Sequence, residues 1–268
     1  MNDDKPSMGG FTIIETLIVL AITGFLLLIA LLAFQGQQAK VEFGQSVRDM
    51  QSIIQQTINE VAAGYFPDSN NIKCQAAGNS LSISQGSVTQ GSNTDCIFLG
   101  KAMQFGVGGT DPQQYNVLTL AGLKDNNGDL AQARPTVVDL PGVTTNNIVR
   151  NGVKVVSMKY VVDNAATDIG AVAFISGLGS FNDGQLLSGS QQISLVPVTN
   201  SGKVPNTIDQ AVVDAVKDHL ATSPINPNGG VQICFQSGGT KQSGLITIGG
   251  GGRNLSVDLA IKSTTDCT

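Results

Sequence analysis

The sequence predicts an α+β protein: a long N-terminal α-helix, transmembrane in its first half, packed against a β-rich globular head. Three observations predict it. Leu17 to Phe34 reads LIVLAITGFLLLIALLAF, 18 residues without a charge. After that run, apolar residues keep recurring at helical spacing as far as Val61. From about Asp68 the composition turns to Gly, Ser, Thr, Asn and Gln, broken by short β-prone runs.

The apolar run comes first. Extended back to Phe11 it is 24 residues long, with Glu15 the single ionisable group. At 1.5 Å per helical residue this reaches roughly 36 Å, enough to cross a hydrocarbon core of ~30 Å. A secretory signal would have a shorter apolar core followed by a small-residue cleavage site. Here the run ends in AFQGQQAK and is preceded by the short polar segment MNDDKPSMGG. A carboxylate inside a membrane segment costs on the order of 3 kcal/mol, and such residues usually have a partner and a function. A cut between Gly10 and Phe11 would create a positive terminus at Phe11, one helical turn from Glu15. In an array of parallel, staggered helices, Glu15 of one subunit then neutralises the Phe11 amine of its neighbour.

The motif Gly10-Phe11-Thr12-Ile13-Ile14-Glu15, followed at once by the apolar run, resembles the processing site of type IV prepilins and related pseudopilins. The resemblance implies a pilin-like fold and a leader, residues 1–10, removed by a membrane prepilin peptidase. Phe11 would become the N-methylated terminus, and Glu15 the acidic residue needed for assembly. Residues 11–34 would anchor the precursor in the membrane and later form the core of a filament. The implied partners are other pilin-like subunits, the peptidase and an inner-membrane assembly platform. The implied location is a single-pass cytoplasmic (inner) membrane before assembly, and an extracellular pilus, the cell surface or the periplasm afterwards.

Residues 35–66 form the amphipathic continuation of the helix. Phe43, Val47, Met50, Ile54, Ile58 and Val61 recur at intervals of three and four, which defines one helix face. Gly64 is a good C-terminal stop and Pro67 follows it. The spacing predicts a helix from about Phe11 to Ala63, its second half lying on the head.

The head, 67–268, has candidate strands at Cys96–Phe105, Val153–Val162, Ala171–Ile175, Gln192–Val198, Val231–Gln236, Leu245–Ile248 and Leu255–Ile261. The last three read as an antiparallel meander. A short helix is predicted over Ile208–Leu220, with Thr207 and Gln210 in a capping-box pattern and Pro224 beyond its end. Cys74, Cys96, Cys234 and Cys267 all fall in this extracytoplasmic segment, where an even count favours disulfides. Three pairings are open. Cys74–Cys96 and Cys234–Cys267 are favoured because each pair is closest in sequence.

Composition and motifs narrow the function. Lys and Arg number 15 against 20 Asp and Glu, a net charge of −5, which argues against a nucleic-acid coat. Arg253 after the glycine run Gly249–Gly252 resembles glycine–arginine turns of small pilin-like proteins, a few of which bind DNA. From Ser201 onward, however, Lys and Arg are balanced by Asp, so no basic footprint forms. The one histidine, His219, sits near the end of the predicted helix, where a cation suits the dipole. No GxSxG elbow or phosphate loop occurs. Asp125, Asn127 and Asp129 present oxygen ligands at calcium-loop spacing. The glycine comes too early in the loop and Thr136 stands where an acid is expected, so a solvated turn is the preferred reading and no cofactor is expected. The sequence thus reads as a structural filament subunit rather than an enzyme. The alternatives are a pseudopilin of a type II secretion system and a membrane-anchored adhesive or binding module.

Overall fold

The computed structural model describes residues 12–64, 72–77, 80–86, 96–107, 111–123, 134–140, 143–177, 192–199, 210–222, 229–249, 255–265 and 267. The chain divides into two compact units, Met1–Glu42 and Phe43–Thr268. Helix α1 spans Ile13–Ala62 and so contributes to both. Among the described residues, thirteen strands and a second helix follow it. They are β1 Ile72–Ala77, β2 Ser80–Gln85, β3 Cys96–Phe105, β4 Gln114–Leu123, β5 Arg134–Val137, β6 Thr145–Ile148 and β7 Lys154–Val162. After these come β8 Ala165–Asp168, β9 Ala171–Gly177, β10 Gln192–Val198, α2 Gln210–Thr222, β11 Gly230–Gln236, β12 Ser243–Gly249 and β13 Ser256–Lys262. An N-terminal apolar helix followed by a β-rich region is thus the observed architecture.

In the first unit, Ile13–Leu31 has a mean hydropathy of 2.6 and none of it is buried within the chain. Its large apolar side chains are 48–81% exposed, from Ile29 to Ile13. That much contiguous apolar surface is not stable in water and needs lipid or protein against it. The stretch is long and apolar enough to cross a membrane. Its two hydroxyl side chains both donate to carbonyls of their own helix. Thr16 Oγ1 donates to the Ile13 carbonyl at 2.8 Å, and Thr23 Oγ1 to the Val19 carbonyl at 2.8 Å.

In the second unit, the rest of α1 turns its apolar stripe into the main core. Phe43, Val47, Met50, Ile54, Ile58 and Val61 are each 0–3% exposed. They share that core with Met103, Phe105, Val172 and Phe174 on one sheet, and with Val155, Val231, Ile233 and Phe235 on the other. Gly64, at φ 63°, follows the helix in the left-handed conformation of a helix stop.

The first sheet runs β10-β9-β3-β4-β5, with β6 also pairing β4. All of its pairs are antiparallel. Alternation along β9 shows how the sheet divides two cores. Val172 and Phe174 face α1, whereas Ala171, Ala173 and Ile175 face Val212 and Val216 of α2. The register of β3 slips between Phe98 and Gly100. Gly100 has φ 154°, and a Cβ there would collide with the Phe174 carbonyl, so only glycine fits this bulge.

The second sheet runs β13-β12-β11-β7-β8, and β11-β12-β13 is the antiparallel meander read from the sequence. At Gly244 an added Cβ would lie 2.9 Å from Val47 Cγ1, so the missing side chain sets how closely α1 approaches β12. The hairpin β1–β2 forms a separate two-stranded sheet.

Beside the sequence reading, α2 begins at Gln210 and continues past Leu220 to Thr222. β1, β2, β4, β5, β6 and β8 were not anticipated. The anticipated cap residue Thr207 lies outside the described residues.

Among the described residues, one ion pair ties the helix to the first sheet. Lys101 on β3 bonds Glu60 on α1, with side chains 8% and 24% exposed. Burial alone would raise the Glu60 pKa. The hydrogen bonds from Lys101 and Gln56, helped by the Lys101 charge, outweigh burial and hold it below its ordinary 4.5. The linkage therefore runs toward acid. The pair's contribution is fully present above the ordinary carboxylate value and is lost as pH falls through the depressed one. Glu60→Gln should lower stability at pH 7 by about 1–3 kcal/mol, because a buried ammonium keeps only a neutral acceptor. It should also flatten the fall in melting temperature below pH 4.5. Parallel wild-type and variant melting curves across that range would show the pair to be inert.

Candidate functional site

The start of α1 is built by its own first residues. Thr12 precedes the first helical residue, Ile13, and Glu15 stands at the third helical position. The Thr12 N–H and Oγ1–H both donate to Glu15 Oε2 at 3.4 Å, and the Glu15 N–H donates to Thr12 Oγ1 at 3.4 Å. This is a reciprocal capping box, which satisfies two helix-end donors. Thr-x-x-Glu was readable in the sequence as such a box, and treating Glu15 only as a charge awaiting a neighbour hid it. The bonds are long for hydrogen bonds, so the carboxylate is steadied rather than locked. A negative group in the first turn also suits the positive end of the helix dipole. Glu15 can therefore cap its own helix in the isolated chain and still present a negative charge at the edge of the apolar span.

The other predicted processing residues, Gly10 and Phe11, lie outside the described residues. So do Asp125, Asn127, Asp129 and Arg253. Among the described residues no group of three or more His, Cys, Asp or Glu is placed to hold a metal.

The structure brings Cys234 and Cys267 together as a disulfide, with Cα atoms 5.8 Å apart and a separation of 33 positions in sequence. Cys234 lies in the middle of β11, so the bond fastens the C-terminal tail to the meander. Cys74 is on β1 and Cys96 opens β3, but their side chains lie outside the described residues.

His219 does sit in the last turn of α2. Burial, however, pushes its pKa below 6.5, so the imidazole is held neutral at neutral pH. That direction works against the expected role as a cation on the helix dipole.

No protein-family model, curated protein or solved structure matches the chain.

Proposed function

We propose that the chain is a structural subunit of a type IV pilus-like filament, with a pilin-like fold, and not an enzyme. It waits in the membrane as a single-span precursor. A prepilin peptidase removes residues 1–10 and methylates Phe11. The subunit then leaves the bilayer as α1 packs against the helices of its neighbours.

One observation carries this reading: the Gly10–Glu15 motif runs straight into an apolar helix face that finds no cover within its own chain. Lipid supplies that cover before assembly. Neighbouring copies supply it afterwards, at ~25 cal/mol per Å² for surface that would otherwise meet water. Glu15 gives the array its register by meeting the Phe11 amine of the adjacent copy. The Phe43–Thr268 unit, closed by its own core and the Cys234–Cys267 disulfide, is what such a fibre displays.

Gly10→Val places a branched side chain at the proposed cleavage point. It should leave the leader attached and the protein in the membrane fraction, with none in material sheared from cells. Its presence in the sheared fraction at wild-type level would overturn the processing scheme.

A further inference from the structure

Among the described residues, five strands end the two larger sheets: β5, β6 and β10 on one, β8 and β13 on the other. An open edge accepts a further strand, and proteins commonly block such edges with proline or charge. β5 has Pro135, β10 has Pro197, β8 has Asp168, and β13 has Asp258 and Lys262. β6, Thr145-Asn146-Asn147-Ile148, has neither device. It also holds out Ile148, which is 63% exposed.

The backbone of β6 is oriented to receive a strand. The Val149 N–H donates to the Gln113 carbonyl at 2.7 Å, toward β4. Backbone groups of successive residues point to opposite sides of a strand. The N–H and C=O of Ile148 therefore point away from β4. Next to them lies a cleft of about 400 Å³ between β6 and α1. Met50, Ile53 and Val149 line it, with Asp49 and Arg150 among its polar residues. Among the described residues Arg150 has no ion pair.

We propose that the β6 edge takes an extended segment from a second copy of this chain, and that the segment is β8. The inference rests on the filament reading above. A four-residue edge buries far less than the ~1,000 Å² that a specific interface needs by itself. It works only where another contact already holds the copies together, as the apolar part of α1 does in a fibre.

β8 matches β6 in length, four residues, and every one of them is exposed. Among the described residues no strand pairs with its side away from β7. Its last residue, Asp168, forms no ion pair with its cross-strand neighbour Lys159 among the described residues. The carboxylate that blocks β8 against other strands thus selects the one edge that ends beside Arg150. The two edges are different patches of the same chain, so the contact is head-to-tail and propagates along an open array.

The test uses charge reversal in full-length protein. Arg150→Glu and Asp168→Arg each set like charges against one another in every contact. Co-assembled in equal amounts, they restore opposite charges at every junction between unlike copies, and repulsion at junctions between like copies favours that alternation. Both side chains are exposed, so each variant should melt within about 1 °C of wild type. Fibres of either variant alone should release at least about tenfold more subunit than wild type in mild detergent. Mixed fibres should fall within about twofold of wild type. Single-variant fibres that resist detergent like wild type, or mixed fibres no firmer than either alone, would overturn the contact and leave the filament reading standing. Absence of fibres from the wild type would instead remove the filament reading, and this contact with it.

Discussion

Ile54→Asp is expected to unfold the Phe43–Thr268 unit. Ile54 is 0% exposed, in the middle of the six-residue stripe by which α1 enters the main core. Truncating such a side chain already costs about 2–5 kcal/mol. Placing a carboxylate there adds the cost of burying a charge with no partner. The sum rivals the 5–15 kcal/mol that typically holds a domain together. The adjacent turn supplies a control, because Ser52 is exposed on the same helix. Ser52→Asp should change stability by no more than about 0.5 kcal/mol. Thermal melts followed by circular dichroism separate the two. A cooperative melt of Ile54→Asp close to wild type would mean that the helix and the sheets do not share a core.

Glu15→Ala and Glu15→Gln should have one effect on the helix and another on assembly. Alanine removes the side chain that receives the Thr12 donors and should fray the first turn, at about 0.5–2 kcal/mol. Glutamine preserves the capping box, since its amide oxygen accepts the same bonds. Neither carries the charge that the proposed contact with a neighbour's Phe11 amine requires. Both variants should therefore be processed and held in the membrane, yet fall at least about tenfold in sheared fibres, as expected when a charged partner is lost in a dry site. Wild-type incorporation of Glu15→Gln would reduce Glu15 to a helix cap and end its role in register.

The parts of this fold that were legible in the sequence are those whose signal is local. The stripe from Phe43 to Val61 repeats often enough for its period to fix both the helix and its buried face. β11, β12 and β13 are short apolar runs separated by turn residues, and each pairs with the next in sequence. β4 escaped because it lies inside its sheet with cores on both faces. Tyr115 and Val117 face one core and Leu118 and Leu120 the other, so no alternation marks it. β6 escaped for the opposite reason. Its two asparagines have low strand propensity, and pairing with Gln114–Val117 is what makes it a strand. Lys101 reads as a surface residue until Glu60, 41 positions away, is seen to meet it. The bulge at Gly100 depends likewise on Phe174, in another strand.

Of the candidate site, the apolar span and Glu15 were readable; the Thr12 cap had its Thr-x-x-Glu signal in the sequence. That Asp49 and Arg150 line the same cleft was not readable, because it depends on α1 and the end of β6 meeting in the fold.

The mass of the N-terminal peptide tests the central claim most directly, measured in material sheared from cells and in the membrane fraction, with Gly10→Val alongside. The filament account predicts a peptide beginning at methylated Phe11 in sheared wild-type material, and an intact Met1 leader on the variant in the membrane alone. Processed peptide confined to the membrane would contradict a surface fibre and favour a secretion pseudopilin. An intact Met1 leader in both wild-type fractions would contradict processing altogether and leave an anchored surface protein.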